Sequence, residues 1–290
     1  MFKRRHTEPQ SIMSGSLLNG RYRLQEQLGE GGAGVVFKAE DIQLKRTIAI
    51  KLLMAEGQMT DDKLQRFQGE ARSVARLNHP NIITLYDYAE EQGRPYLVIE
   101  YIPGEDLWEL DNRYAPELMP LEESLPIVDG ILAALEYSHA HHVVHRDLKP
   151  ENVMITPDKV VKVMDFGLAR IEGQSRLTED GLVAGTAAYL APELAMGELG
   201  DHRVDLYALG VMMYELFTGR RPFSGDDPLT VISQHIHASV VPPQHYNPAM
   251  PNELQRIVLK LLSKKPGERY NSATEVRRDL AAVMYRVQAA

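Results

Sequence analysis

Hydrophobic positions in the first hundred residues come in short runs between glycine-rich or polar turns. The segments RYRLQEQLG, GVVFKAEDI and RTIAIKLL, between residues 20 and 56, are rich in aliphatic and β-branched side chains. This pattern predicts three antiparallel strands. IITLYDYAE and RPYLVIEYI predict two more strands, joined by a turn at Gln92–Gly93.

One helix is predicted within this strand-rich part, over TDDKLQRFQGEARSVARLNHP. Thr60 is a suitable N-cap, and the two aspartates after it favour the positive end of the helix dipole. His79–Pro80 is expected to end the helix. Apolar side chains recur at helical spacing at Leu64, Phe67, Ala71, Val74 and Ala75.

Beyond about residue 104 the pattern changes to helices joined by long loops. Helices are predicted over ILAALEYSHAHH, DHRVDLYALGVMMYELFTG, LTVISQHIHA, NELQRIVLKLLSK and ATEVRRDLAAVMYRVQ. Pro126 precedes the first of these in LEESLPIVDG, so that helix either begins near Ser124 or is kinked. The pattern predicts an α+β protein: a flexible tail over 1–19, then a domain over 20–290. That domain divides into a small strand-rich lobe (about 20–100), a hinge (about 100–104) and a larger helical lobe (about 105–287).

Composition and charge exclude several classes of partner and of binding site. Of 290 residues, 44% are hydrophobic and 25% charged, as in an ordinary globular protein. A formal net charge of −8 gives no reason to expect nucleic acid or an anionic membrane as a partner. With no cysteine, a disulfide framework and cysteine-based zinc sites are excluded. No apolar stretch approaches the ~18–20 residues that span a bilayer. No apolar run follows the basic cluster at residues 3–5 either, so a cytoplasmic location is expected.

Four glycines lie in LGEGGAGVVFKAE, residues 28–40, and three of them, Gly29, Gly31 and Gly34, fit the pattern G-x-G-x-x-G-x-V together with Val36. A dinucleotide-binding turn needs a helix after the glycines, whereas VVFKAE is strand-like. A P-loop would end in Gly-Lys-Ser/Thr, which is absent. Two interpretations remain from this stretch alone. It is a hairpin whose backbone N–H groups approach phosphates, or it is a merely flexible loop.

Motifs further along the chain decide between them. Lys51 ends the strand segment IAIK, and Glu70 lies in the helix that follows. HRDLKPEN at 145–152, DFG at 165–167 and APE at 191–193 then follow in order. Together these motifs resemble the Hanks-type (eukaryotic-like) serine/threonine protein kinases, and KPENVMIT and GTAAYLAPE are most similar to the bacterial branch. The resemblance covers about residues 20–287. It implies a bilobal kinase fold that transfers the γ-phosphoryl group of ATP to serine or threonine hydroxyls of proteins.

The resemblance also implies a role for each motif residue. Asp147 is the base that accepts the substrate hydroxyl proton, and Lys149 meets the γ-phosphate. Asn152 and Asp165 are the expected ligands of Mg²⁺, for which Mn²⁺ can substitute. Thr186 would brace Asp147 and Lys149, as in serine/threonine kinases.

ATP is expected to bind in the cleft between the two lobes. Lys51, paired with Glu70, would hold phosphate oxygens. Ile99 would be the gatekeeper residue beside the adenine. Backbone groups of the hinge, from Glu100 to Ile102, would form hydrogen bonds with the edge of the adenine, and Asp106 would form one with the ribose. The expected nucleotide contacts are Leu28, Gly29, Glu30, Gly31, Gly32, Ala33, Gly34, Val36, Ala49, Lys51, Ile99, Glu100, Ile102, Asp106, Met154 and Asp165.

Three structural expectations follow from the same resemblance. His145 is expected beneath Phe166, in a column that continues to Val74 and Leu85. Glu193 is expected to pair with Arg269. Asp205 is expected to tie down the backbone of the catalytic loop, and its neighbour is Tyr207 where the family often has Trp.

Regulation is predicted at the activation loop, residues 168–190. In this family, an Arg before the catalytic Asp, here Arg146, usually binds a phosphate group on this loop. Arg170 is a second candidate to bind that phosphate. Thr178 and Ser175 are the best acceptors. Two versions are open: Thr178 is autophosphorylated, or the acids at 179–180 partly substitute for a phosphate.

Two other functions compete with an active protein kinase. A pseudokinase scaffold would bind nucleotide without transferring phosphate, but it would generally lack the Lys, the base or the metal-binding Asp. A small-molecule kinase of the aminoglycoside or choline type would lack the combined HRDLKPEN, GT and APE motifs.

The protein substrate and the activating signal are not visible in the sequence. A homodimer through the small lobe, common in the bacterial branch, is supported by no particular residue.

Overall fold

The computed structural model describes residues 12–31, 34–53, 61–166 and 187–289; the side chains of residues 61–64, 66, 67 and 70 are outside this description. The chain forms two compact units. One comprises residues up to 75 together with 84–101, and the other comprises 76–83 together with 102–290. The division at residues 101 and 102 lies within the expected hinge. Residues 76–83, which the sequence pattern placed in the strand-rich lobe, belong to the helical unit.

The first unit is an antiparallel sheet of six strands in the order β1-β2-β3-β4-β6-β5. Its core contains Leu24, Ile48, Ile50 and Tyr96 on one face of the sheet. All five strands predicted from the hydrophobic pattern are present. The strand bounds are β1 Leu17–Leu18, β2 Tyr22–Gly31, β3 Gly34–Asp41, β4 Arg46–Leu53, β5 Leu85–Glu91 and β6 Arg94–Glu100.

Residues 12–19 are not a free tail, contrary to the prediction for 1–19. Leu17 and Leu18 pair with Arg23 and Tyr22 of β2. Leu18 is almost fully buried, and Ile12 packs against the same core. Burial of Leu18, together with the packing of Ile12 on the same core, offsets the cost of ordering so short a strand.

Two turns in this unit contain the residues that the sequence predicted for them, in backbone conformations suited to turns. Gln92 and Gly93 both have positive φ, the conformation of a tight hairpin turn between β5 and β6. Gly34 opens β3 with φ of 140°, and a Cβ there would lie 2.0 Å from the carbonyl oxygen of Leu52. Only glycine fits at this position. The glycine-rich stretch therefore turns between two strands, with no helix after it.

Helix α1 spans Asp61–Val74 and accompanies the sheet of the first unit. It ends five residues before His79, earlier than the predicted stop at His79–Pro80. Ala71 and Val74, two of the predicted apolar positions, are buried. Thr60, the predicted N-cap, lies outside the described residues.

The second unit is mainly helical, as predicted. It also holds a small sheet of β7 (Glu105–Asp106), β8 (Val153–Ile155) and β9 (Val161–Val163), in that order. Its α-helices within the described residues are α2 Leu107–Asn112, α3 Leu121–Ala140, α4 Pro192–Ala195, α5 Arg203–Thr218, α6 Pro228–His237, α7 Asn252–Leu261 and α8 Ala273–Gln288. No helix in the described ranges is both long and apolar enough to cross a membrane.

Helix α3 begins at Leu121, three residues before the predicted start at Ser124, and runs through Pro126. Pro126 lies in the second turn, where its missing N–H removes one intrahelical bond. The Ser124 hydroxyl donates to the carbonyl of Pro120 at 3.0 Å. Burial of most of the helix, including Ile131 and Leu135, compensates for the lost bond.

Helix α5 is the buried centre of the helical unit. Nearly every residue from Val204 to Thr218 is buried, on all faces of the helix. A helix that is apolar all round needs protein on every side. It ends at Gly219, whose φ of 68° is the left-handed conformation typical of a helix C-terminus.

The predicted pair of Glu193 and Arg269 is confirmed. The two Nη atoms of Arg269 donate to the two carboxylate oxygens of Glu193, each at 2.7 Å. Both side chains are almost fully buried, at 0% and 3% exposure. The remaining guanidinium hydrogens go to the carbonyls of Ser263, Arg203 and Lys264. All five N–H groups of the Arg269 guanidinium thus donate hydrogen bonds, and together they join α4, the start of α5 and the segment after α7.

We expect Arg269→Ala to unfold the helical unit rather than merely slow its function. Removing one partner of a buried ion pair leaves the other charge unpaired and costs about 3–5 kcal/mol. Urea unfolding should show this loss. Arg278→Ala, which removes an arginine whose side chain is 75% exposed, should leave the unfolding free energy unchanged. A loss for Arg269→Ala no larger than for this control would contradict the expectation.

Candidate active site

Asp147 lies in the loop between α3 and a short 3-10 helix at Pro150–Asn152. The Nδ2 of Asn152 donates to the backbone carbonyl of Asp147 at 2.7 Å and approaches its Oδ2 at 3.3 Å. The Nζ of Lys149 lies 3.4 Å from the same Oδ2. The structure therefore brings together three of the predicted catalytic residues around one carboxylate.

Two residues of this region have a backbone conformation that side chains rarely adopt. Arg146 has φ of 64° and Asp165 has φ of 58°. A non-glycine residue there costs about 1–3 kcal/mol and persists only where surrounding contacts determine it. Such strain concentrates at functional sites, and here it falls next to Asp147 and in the DFG motif.

Asp205 on α5 provides the contacts that hold the strained loop. Its Oδ2 accepts the backbone N–H of His145 at 2.8 Å, and its Oδ1 accepts that of Arg146 at 2.8 Å. The prediction that Asp205 ties down this backbone is confirmed. Burial would raise the pKa of Asp205, but the hydrogen bond and charge of His139, with the His145 backbone donor, outweigh burial and lower it.

His139 on α3 is a partner that the sequence pattern did not reveal. Its Nε2 lies 2.8 Å from Oδ2 of Asp205, and because a carboxylate accepts, this nitrogen carries the hydrogen. The helical periodicity of α3 marks His139 only as one polar position among several. Its partner is 66 residues away in the chain, so no local signal identifies it.

His145 takes the structural role predicted for it within the helical unit. Its ring packs against Phe166 with 4.7 Å between centroids, and its Nε2 lies 2.7 Å from the carbonyl of Met164. His145 is fully buried. Its other ring nitrogen, Nδ1, accepts the backbone N–H of Asp147 at 3.2 Å, so both nitrogens have partners within the protein. The continuation of the column to Val74 and Leu85 stays a prediction.

The residues expected to hold a divalent cation have suitable donors. Because the Nδ2 of Asn152 is committed to Asp147, its amide oxygen is the atom left to bind a cation. Met164, next to Asp165, is fixed through its N–H to the carbonyl of Asn152 at 2.8 Å. An amide oxygen and a carboxylate are hard ligands of the kind that Mg²⁺ takes alongside phosphate oxygens and water.

In the sheet unit, strand register aligns several of the predicted nucleotide contacts. Val36 on β3 lies opposite Lys51 on β4, and Ala49 lies opposite Ile99 on β6. Lys51 is 5% exposed. The predicted contacts in this unit and its described residues are Leu28, Gly29, Glu30, Gly31, Gly34, Val36, Ala49, Lys51, Ile99 and Glu100.

In the helical unit, Asp106 pairs with Met154 across β7 and β8. The Asp106 carboxylate caps α2 by accepting the N–H of Glu109 at 2.8 Å. Ile102 is buried, and Gly104 beside it has φ of 147° with no space for a Cβ, which would meet the carbonyl oxygen of Ile155 at 2.1 Å. Contact of Asp106 with a ribose stays a prediction, since its carboxylate already has a capping role.

Several predicted site residues fall outside the description. The backbone of Glu70 lies in α1, but its side chain is among those left out, so its pairing with Lys51 stays a prediction. The others that lie outside the described residues are Gly32, Ala33, Gly167, Arg170, Ser175, Thr178 and Thr186.

Residues 187–191 lie beside the catalytic loop. Tyr189, Leu190 and Ala191 line a small recess together with Asp147 and Lys149. The Tyr189 hydroxyl donates to Glu215 on α5, whose other oxygen accepts Nε of Arg221 at 2.9 Å. The sequence pattern did not predict this anchoring, because Tyr189 and Glu215 belong to separate motifs.

The chain was found to be similar to known kinases over nearly its whole length. Residues 22–280 match the protein kinase domain family. A probable serine/threonine-protein kinase of Streptomyces coelicolor is 45% identical over 273 residues, which cover 92% of this chain and 40% of that protein. The serine/threonine-protein kinase PknB of Mycobacterium leprae is 41% identical over 271 residues, covering 92% and 43%.

The chain thus spans about two fifths of the length of these curated relatives. Among solved structures, the PknI kinase domain of Mycobacterium tuberculosis matches with a TM-score of 0.74 at 27% identity, covering 94% of this chain and 99% of that one. This agrees with the α+β kinase fold predicted from the motifs. The chain belongs to the protein kinase family, within its bacterial serine/threonine branch.

Proposed function

We propose that this chain transfers the γ-phosphoryl group of ATP to serine or threonine hydroxyls of proteins. The observation that carries the proposal is the placement of Lys149 and Asn152 around the carboxylate of Asp147. The acceptor oxygen forms a bond to the γ-phosphorus while the bond from that phosphorus to the ADP oxygen breaks. The acceptor hydroxyl proton passes to the Asp147 carboxylate.

Lys149 would neutralise charge on the transferred phosphoryl group, since its ammonium already lies beside Asp147. Asn152 and Asp165 would hold Mg²⁺, with Mn²⁺ as a substitute, as in the divalent-metal chemistry general to protein kinases. When bound, the cation neutralises phosphate charge. Asn152 also has a structural role, because the hydrogen bond from its Nδ2 to the carbonyl of Asp147 fixes the backbone there.

The sheet unit would hold the nucleotide. Lys51 would contact phosphate oxygens with Glu70 as its partner, and the backbone N–H groups of the glycine turn would cover the phosphates. Val36 and Ala49 would lie on the adenine from this unit, and Met154 from the other. A cytoplasmic location fits the supply of ATP, and a homodimer stays a prediction of the family resemblance alone.

We expect Asp147→Asn to abolish phosphoryl transfer without weakening nucleotide binding. A positioned base contributes about 10²–10⁴-fold to the rate, and the amide cannot accept the proton. Transfer from γ-labelled ATP to itself and to myelin basic protein measures the rate, and thermal stabilisation by Mg-ATP reports binding. Asp158→Asn, the same change in an exposed turn, is the matched control. Wild-type protein that binds Mg-ATP without transferring label would instead support a nucleotide-binding scaffold.

Asp205→Asn is expected to lower kcat with little change in the KM for ATP. The amide cannot accept from both backbone N–H groups and from His139, so the loop loses the contacts that hold Arg146 in its strained conformation. Removing a buried charged acceptor costs about 1.5–3 kcal/mol, or roughly 10- to 150-fold in rate. Asp201→Asn, at the exposed start of the same helix, should leave kcat unchanged. An equal effect of the two variants would contradict the role of Asp205.

We further expect autophosphorylation at Thr178 in the activation loop. A phosphate there would add about −2 charge, for which Arg146 and Arg170 are ligands. Mass spectrometry after incubation with Mg-ATP should find the phosphate in wild type and not in Asp147→Asn. Full activity with an unphosphorylated loop would favour the other version, in which the acids at 179–180 substitute for the phosphate.

A further inference from the structure

A buried histidine on α6 has no part in the chemistry proposed above. His235 is fully buried, and its Nδ1 lies 2.8 Å from the hydroxyl of Tyr207 on α5. Its ring also packs edge-on against Phe223, with 4.9 Å between centroids. Tyr207 is the residue at which the chain departs from the Trp common in its family.

The protonation of this pair follows from burial. Burial raises the pKa of the Tyr207 hydroxyl, so it carries its hydrogen at neutral pH. Burial, and then the charge of Lys264, lower the pKa of His235 to about 4, so the imidazole is neutral. Tyr207 therefore donates to Nδ1, and the single imidazole hydrogen lies on Nε2.

The second ring nitrogen of His235, Nε2, lies inside the helical unit. It is buried and has no hydrogen-bond partner among the residues that the structure describes. The Ala188 backbone raises the pKa of the ring, in the direction expected of a nearby carbonyl group.

Other contacts of α6 support the same segment. Ile232 of α6 packs in one apolar cluster with Ala187 and Ala195, and Leu190 and Ile236 pack against that cluster. Nζ of Lys264 donates to the carbonyls of Gln234 and His235, at 3.1 and 2.7 Å. Lys264 thus holds the C-terminal end of α6 in place, where a cation also favours the helix dipole.

Tyr189, Leu190 and Ala191, which directly follow Ala187 and Ala188, form one wall of the recess that holds Asp147 and Lys149. A protein acceptor that brings its hydroxyl to Asp147 lies against this wall, whereas ATP is expected to contact other residues. A change that displaces the wall should therefore affect acceptor binding more than nucleotide binding.

We propose that Tyr207 and His235 are positioning residues for the protein acceptor: their hydrogen bond ties α5 to α6, and Ile232 of α6 packs on Ala187, so that the pair sets the backbone of residues 187–190. The proposal rests on the proposed kinase function, because it names what places the acceptor-binding segment of that site. It assigns α6 a role in acceptor affinity and gives the Tyr at position 207 a specific partner.

Tyr207→Phe tests the proposal, with Tyr214→Phe as a matched control. Both are buried tyrosines on α5, and the Tyr214 hydroxyl donates to the carbonyl of Val241 at 3.0 Å, away from residues 187–190. Thermal unfolding midpoints should fall by a similar amount in both variants, about 2–4 °C. Only Tyr207→Phe should raise the KM for myelin basic protein at saturating Mg-ATP, by about 5- to 10-fold, with the KM for ATP unchanged.

His235 variants separate its hydrogen bond from its volume. His235→Leu should raise the KM for myelin basic protein as Tyr207→Phe does. His235→Gln, which retains a side-chain acceptor for the Tyr207 hydroxyl, should raise it less. Equal acceptor KM values for Tyr207→Phe and Tyr214→Phe, or a parallel rise in the KM for ATP, would overturn the proposal.

Hydrogen exchange tests the same point without turnover. Peptides covering residues 187–194 should exchange faster in Tyr207→Phe than in Tyr214→Phe or wild type. Unchanged exchange in that segment would overturn the inference even in an active enzyme. Wild-type protein that transfers no phosphate would overturn the proposed function instead, while the exchange result would still decide the positioning role.

Discussion

The buried carboxylate of Asp205 is the interaction on which the active centre of this chain depends. Burying a charge is costly unless hydrogen bonds satisfy it, and here the N–H groups of His145 and Arg146 and the imidazole of His139 do so. The same bonds hold two peptide groups of the catalytic loop at the start of α5. Without Asp205, those N–H groups would lack acceptors in a dry environment. The carboxylate therefore determines where Asp147 lies, although it takes no part in phosphoryl transfer.

Helix α5 fixes other segments of its unit in the same way, through side chains placed along its length. Asp205 in its first turn fixes the catalytic loop, and Glu215 near its end accepts the Tyr189 hydroxyl beside the recess. Tyr207 lies between them and contacts α6 through His235. Because α5 is buried on every face, it has little freedom to shift relative to the rest of its unit. One rigid helix thus sets the relative positions of segments that are far apart in sequence, which a loop-based arrangement would achieve less precisely.

The sequence predicted the parts of this structure that depend on local pattern or on fixed motif spacing. Short runs of aliphatic and β-branched residues between turns predicted β2 to β6, and HRDLKPEN placed Asp147, Lys149 and Asn152 in one loop. The contacts of Asp205 and of Arg269 followed from the family motifs. By contrast, β1 was missed because two leucines give too short a pattern. The partners His139, Glu215 and His235 were missed because each is chosen by tertiary packing over long sequence separations, which periodicity does not report.

The strained residues of the site show why its support is so extensive. Arg146 and Asp165 each have positive φ, and neither has a glycine's freedom to adopt it without cost. Residues next to them are fixed by several bonds: His145 by Asp205 and by the Met164 carbonyl, and Met164 by Asn152. A neutral hydrogen bond contributes about 0.5–1.5 kcal/mol, and one to a charged acceptor such as Asp205 about 1.5–3 kcal/mol, comparable with the strain at one residue. The bonds to Asp205, Met164 and Asn152 thus act together to offset the strain at Arg146 and Asp165.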